Sequence, residues 1–389
     1  MPDQLASKKA KLLAALEVSL LRRLGVVPES FENGRVGSPS PVYDINGKVL
    51  FFRLPLTRGK LRDSFVDIAA ESSAFGALLI AVSQGVIWDE KAILSQAAAA
   101  AKRQKIRQYD AMRFVAFSFP KIAVQFLLEG KEVAMLEWMT WTPVPQARNL
   151  RERKPLELEN FERWSVLEET PAARKRANVK RYGERMAIWR DRRFRDLTTA
   201  VVSSSVLEKL VAIELVDSRE IHYSSRDTDH LPCYELRGQQ TNVWCVGASV
   251  QMVLDFYRYE YTQVRLAQEL GLGTLANPNG LPYANVGLVV TRMESLTSNA
   301  LNVTMITNPT FTTFRNEIRA NRPVISFIPG HSRTVAGYTR SLFKLINSTG
   351  YRGLLVYDPW PPNAGVITRW ENVDAQTYQY AYTSQVTLV

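Results

Sequence analysis

The stretch PVPQARNLRERKP at 143–155 limits most strongly how this chain can fold. Proline has no backbone N–H and fixes φ, so Pro143, Pro145 and Pro155 exclude a helix interior or a central strand here. The regular patterns on either side therefore belong to different units. A chain of 389 residues also exceeds the usual reach of one core. The expected organisation is an N-terminal α+β domain over 1–147, a basic helical linker over 148–230 and a third unit over 231–389.

The first unit opens on an amphipathic basic helix. In PVYDINGKVLFFRLPL, Asn46-Gly47 between two apolar runs is a strong signal for a β-hairpin. SSAFGALLIAVSQG reads as a further strand region, and DEKAILSQAAAAAKRQKIRQYD as an alanine-rich helix whose cationic end suits the helix dipole. MRFVAFSFP and IAVQFLLEGKEVAMLEWMTW, the latter turning at Glu129-Gly130-Lys131, predict a second hairpin system in an antiparallel sheet.

The formal charge is +11 and unevenly spread. Residues 172–195 hold ten Lys/Arg against Glu184 and Asp191, a net of +8, with Trp164, Tyr182, Trp189 and Phe194 in the surrounding segment. A basic-aromatic mixture can bind nucleic acid. Charge runs are more often solvated faces, so a helical connector with its aromatics packed on a neighbour is the preferred reading, and nucleic acid is not the expected partner. No stretch approaches the ~18 uninterrupted apolar residues of a membrane span, and the N-terminus lacks the pattern of a secretory signal. The compartment depends on whether a signal has been removed: exported if so, cytoplasmic otherwise.

Cys233 and Cys245 are the only cysteines, so no disulfide framework supports the fold. In VWCVGASVQMVLDFYRY the apolar residues Val246, Val250, Val253, Leu254 and Tyr257 follow helical spacing that begins at Cys245. A helix start, with unpaired N–H groups and the positive end of the dipole, stabilises a thiolate. A nucleophilic thiolate needs a base and a group that orients the base.

Of the three histidines, His331 lies between the apolar runs VISFIPG and TVAGYTRS, where one strand ends and the next begins. Asp358 ends the β-run GLLVYD and can fix the imidazole tautomer. Gln239, six residues before Cys245, can join the Cys245 N–H in an oxyanion hole; Gln240 competes for that role on a poorer spacing. Asn242 reads as a turn residue. His222, His230 and Cys233 lack the paired CxxC or helical His spacing of a zinc site, and no metal or cofactor is expected. Trp360, flanked by Pro359 and Pro361, reads equally as a cleft wall or as a proline-bounded turn packed on the core.

With Gln239, Cys245, His331 in PGHSRTVAGY and Asp358 in VYDP, in that order, residues 231–389 resemble the papain-like cysteine peptidases, and within them the bacteriocin-processing branch. The resemblance implies a helical lobe carrying Cys245 and an antiparallel sheet lobe carrying His331 and Asp358, preceded here by a separate α+β domain. It further implies Gln239 in the oxyanion hole and a protein or peptide substrate. The Cys245 flanks NVW and VGAS differ from the plant-peptidase context, and the His331 to Asp358 interval is longer than usual. The N-terminal part resembles inhibitory propeptides in arrangement only. That implies a zymogen with the N-terminal domain as intramolecular inhibitor, cut in VDSREIHYSSRDTDHLP at 216–232. An acyl or amide transferase would use the same residues. A non-catalytic protein binding nucleic acid or an anionic surface would use 172–195 instead.

Overall fold

A computed structural model describes residues 2–23, 35–58, 61–145, 157, 161–190, 213–221, 234–343 and 350–387. The first helix, α1, spans Pro2–Arg23. The two-residue strand β1, Arg35–Val36, precedes the Asn46-Gly47 hairpin, which forms between β2, Ser40–Asp44, and β3, Val49–Arg58. Gly47 turns the chain at φ +88, a conformation open to glycine at no steric cost. Strands β4, Leu61–Ala69, and β5, Leu79–Gln84, extend the sheet. Helix α2, Glu90–Arg103, is capped by the Asp89 side chain accepting from the Ala92 N–H, with Lys102 and Arg103 in its last turn. Then follow β6, Ala111–Ser118, β7, Lys121–Leu128, and β8, Lys131–Glu137; the β7–β8 turn is made by Glu129 and Gly130.

Among the described residues the linker is helical in α3, Val166–Glu169, and α4, Ala172–Arg190. It is not helical throughout. Ile213–Glu220 is a strand, β9, because its backbone pairs with the edge of β12, His331–Phe343. The polar sequence DSRE carries no apolar period, and tertiary pairing overrides local propensity.

The C-terminal part contains α5, Cys245–Phe256, α6, Gln263–Leu270, α7, Leu288–Leu296, and α8, Phe311–Arg319. Its strands are β10, Leu301–Thr307, β11, Val324–Ile328, β12, β13, Arg352–Asp358, β14, Val366–Asn372, and β15, Tyr380–Val386. The fold is mixed α/β with one large sheet. Helices α5, α6 and α7 pack through Val250, Leu254, Leu266 and Met293 onto β10, β11 and β15.

The expected separation of an N-terminal domain is not what this sheet shows. Strand order runs β10-β15-β11-β12-β13-β14-β5-β4-β3-β2-β6-β7-β8, crossing from one part to the other where β14 pairs with β5 (Thr368 opposite Ser83, Glu371 opposite Ala81). Two hydrophobic clusters also mix the parts. One joins α1 and β3–β5 to Leu355 and Trp370. The other joins Val115, Phe117 and Ala123 of β6 and β7 to Trp360, with Val243 packed against it. No helix among the described residues is long and apolar enough to cross a membrane.

Candidate active site

Cys245 is the first residue of α5, where backbone N–H groups lack an intrahelical partner. The helix begins there because Trp244 anchors the preceding turn, its indole Nε1 donating to the Leu272 carbonyl at 2.8 Å. Cys245 is 1% exposed, and its Sγ accepts a hydrogen bond from the Ser332 N–H at 3.3 Å. That contact brings the start of α5 against the start of β12.

His331 opens β12 directly after a two-residue turn, with Ile328 opposite it across the hairpin. Pro329 restricts φ and Gly330 takes φ +65, the chemistry a tight turn requires. His331 Nε2 lies 2.6 Å from Asp358 Oδ1 at the end of β13, and the Trp360 N–H donates to the same oxygen at 2.9 Å. Burial alone would raise the Asp358 pKa, but His331 and then Arg333 hold it below the usual carboxylate value. An ionised carboxylate only accepts, so Nε2 carries the hydrogen and Nδ1 is the bare nitrogen. Nδ1 is buried with no hydrogen-bond partner.

Burial pushes the His331 pKa down to about 4, a shift that Asp358 opposes. Burial pushes the Cys245 thiol up to about 11, opposed first by Lys121 and then by the Ser332 N–H. Both shifts favour the uncharged forms in this closed arrangement.

Gln239 is fully buried and tied to the strand end that carries Asp358: its N–H donates to the Pro359 carbonyl at 3.0 Å, and its carbonyl accepts from the Asn363 N–H at 2.8 Å. Gly238 permits this approach, since a Cβ there would lie 2.7 Å from the Asn363 carbonyl carbon. The Gln239 Nε2 donates to the Thr241 carbonyl at 2.6 Å, and its Oε1 is buried without a partner. Gln240 is exposed, its backbone held by Gln263. His222, His230 and Cys233 lie outside the described residues; among the described residues no cluster of His, Cys, Asp and Glu able to hold a metal occurs.

Trp360 meets both expectations of it. It packs on Phe161 with ring centroids 5.4 Å apart, and it lines an open cleft of about 700 Å³ between β7–β8 and the C-terminal part. Asp358, Trp138 and Lys121 line the same cleft. Sequence reasoning passed over Lys121. The available signal was a single cation between Pro120 and the apolar run Ile122–Val124.

Residues 232–388 match the family described as Peptidase_C39 like family. This segment is similar to the cysteine peptidases of the C39 type. The matched segment contains Gln239, Cys245, His331 and Asp358, and residues 1–231 lie outside it. Among solved structures, the chain is similar to a double glycine motif protease from an AMS/PCAT transporter, described in complex with the leader peptide. Identity is 13%, over 42% of this chain and 96% of that one, with a TM-score of 0.25. It is also similar to UfSP from C. elegans, at 13% identity over 44% of this chain and 34% of that one, with a TM-score of 0.27. No curated protein matches the chain.

Proposed function

We propose that the protein is a cysteine endopeptidase using Cys245 as nucleophile, His331 as base and then acid, Asp358 as orienter and Gln239 in the oxyanion hole. The observation that carries this reading is the 2.6 Å bond from His331 Nε2 to Asp358 Oδ1, which leaves a bare, buried Nδ1 in the histidine beside the residue that holds the Cys245 thiol. In the reaction Nδ1 accepts the thiol proton and the sulfur attacks the peptide carbonyl. The oxyanion meets the Cys245 N–H at the helix start and the Gln239 amide, whose NH₂ has a second hydrogen beyond the one given to Thr241. Collapse of the intermediate passes the proton to the leaving amine and leaves a thioester, which water hydrolyses to the acid and free thiol.

The burial of Cys245 supports a second element of the proposal, that the chain is made latent. A peptide carbonyl cannot reach a thiol that is 1% exposed until the β6–β7 layer packed on Val243 and Trp360 moves. A cut in the segment between β9 and Tyr234 would free that movement.

The test is peptide hydrolysis and intact mass for wild type, Cys245→Ala and Gln239→Ala, with an irreversible thiol-directed peptidase inhibitor. Wild type is expected to take up one inhibitor at Cys245 by peptide mapping and to yield a C-terminal fragment beginning within 217–235. Cys245→Ala should do neither, and Gln239→Ala should lose about 10²–10³ in kcat. Hydrolysis by Cys245→Ala at the wild-type rate rejects the mechanism. A fragment beginning far from 217–235 rejects the proposed cut.

A further inference from the structure

The proposed cut between β9 and Tyr234 divides the chain into two pieces, and the surface between them decides whether they part. A transient interface is about as polar as ordinary protein surface, whereas a permanent one resembles a domain core cut in half. This surface is of the second kind. Leu16 of α1, Leu54 of β3 and Val66 of β4 form one buried cluster with Tyr351, Leu355 and Trp370 of the C-terminal part. Trp370, the largest of these side chains, is 1% exposed.

Paired strands hold the same surface at two places. At one, β5 lies along β14, with Gln84 opposite Ile367 and Ala81 opposite Glu371. At the other, β9 lies along β12 from Glu220 opposite Gly337 to Ile213 opposite Phe343, beyond Val335, where the pairing of β12 with β11 stops. Strand β9 precedes the cut and so belongs to the N-terminal piece. Side chains and backbone fasten it further: Glu220 accepts from Arg369 at 2.9 Å, Asp217 accepts from the Tyr338 hydroxyl at 2.7 Å, and the Ile221 N–H donates to the Ala336 carbonyl at 2.8 Å. The N-terminal piece therefore grips β12, β13 and β14 from both outer edges. Its departure would leave two strands with unpaired edges, which recruit other strands, and would bring Leu355 and Trp370 into water.

We propose that the cut protein stays a two-piece molecule, in which the N-terminal piece is a permanent subunit and not a diffusible inhibitor. The partner that fits the β12–β14 surface is residues 1–221 of this same chain. The proposal rests on the reading that the chain is cut between β9 and Tyr234. Activation is then a rearrangement within a joined molecule: the cut removes the covalent connection while both ladders hold. Phe119, Ile122 and Trp138 remain one wall of the cleft whose other wall carries Asp358 and Trp360.

The experiment cuts the full chain at a chosen point. A site for an added sequence-specific protease is placed between Ile221 and Tyr234 in Cys245→Ala, which keeps the chain from processing itself. Once a denaturing gel shows complete cleavage, the protein is diluted and its mass in solution is measured by size exclusion with light scattering. One species with the mass of the uncut chain is expected, resolving into two pieces only in denaturant. A C-terminal piece that elutes alone overturns the proposal, as does a free N-terminal piece beside an aggregated remainder. Should the folded chain resist the added protease, co-expression of 1–221 and 234–389 with a tag on one supplies the same pieces. Copurification of the untagged piece in equal amount supports the proposal, and its absence overturns it. With Cys245 retained, the irreversible thiol-directed inhibitor should label the joined species, and label confined to a lone C-terminal piece overturns the proposal. Absence of label from every species sinks the nucleophile reading instead, while the mass of the cut Cys245→Ala protein still decides whether the pieces part.

Discussion

Helix α4 and the start of helix α5 are the two regions where polar chemistry stands out in the sequence, and they put it to different uses. On α4, Arg185 donates to both oxygens of the buried Glu17 at 2.8 and 2.7 Å, and the Trp189 indole donates to the same carboxylate at 2.7 Å. Arg174 bonds the Gln376 carbonyl, and Arg181 lies 3.6 Å from Asp374. At α5 the buried His331 Nδ1 and Gln239 Oε1 have no partner. Charge density drew attention to the first region, yet its inward cations are spent on holding the helix to the body. What sets the second region apart is its grouping: a histidine bonded to a carboxylate, with a thiol held by the neighbouring backbone N–H, is the kind of set that chemistry uses.

The comparison is tested most severely at Glu17. Glu17→Ala leaves Arg185 and the Trp189 indole without their anion in a buried setting, and removing one partner of a buried pair costs about 3–5 kcal/mol. Denaturant unfolding should show a loss of that order, with hydrolysis per folded molecule unchanged. A loss under about 1 kcal/mol would place the Glu17 cluster among the weak surface pairs and remove the contrast.

A somewhat smaller effect is expected from acid. His331 has its folded-state pKa lowered to about 4 from an ordinary 6.5, so between those values the unfolded chain binds the extra proton. Stability contributed by the neutral imidazole is complete above pH 6.5 and falls as pH drops toward 4, by roughly 3 kcal/mol at about 1.4 kcal/mol per unit. Asp358, held below its ordinary value chiefly by His331 against the cost of burial, adds to the loss in the same direction at lower pH. Unfolding measured from pH 7 to 4 should show this slope in wild type and a flatter one in His331→Gln. Equal slopes would mean that the imidazole is not buried neutral.

What the sequence reveals follows the range of the interactions. Hairpins at Asn46-Gly47 and Glu129-Gly130, the helix starting at Cys245 and the strand ends bearing His331 and Asp358 are read from spacing and turn residues within a few positions. The pairing of β5 with β14 depends on residues in two distant segments and leaves no local pattern, so the proline break at 143–155 suggested a separation that the sheet bridges. Strand β9 escaped notice because DSRE is strand only by virtue of its partner on β12. Lys121 was illegible for the same reason, its place in the cleft being set by Trp360 and Asp358, both more than two hundred residues away.

The smallest effect sharpens the comparison from the other side. Arg176 and Lys180 of α4 are exposed, unlike Arg185, which turns inward to Glu17. Replacing both with glutamate reverses charge on the outer face without touching a buried partner, and such substitutions usually change stability by no more than about 0.5 kcal/mol. Hydrolysis should be unaffected, since neither residue approaches the cleft lined by Asp358 and Trp360. If hydrolysis of a peptide substrate falls in the double variant at low salt and the difference from wild type vanishes at high salt, the outer face of α4 steers substrate. The division between a helix that holds and a site that reacts would then have to be redrawn.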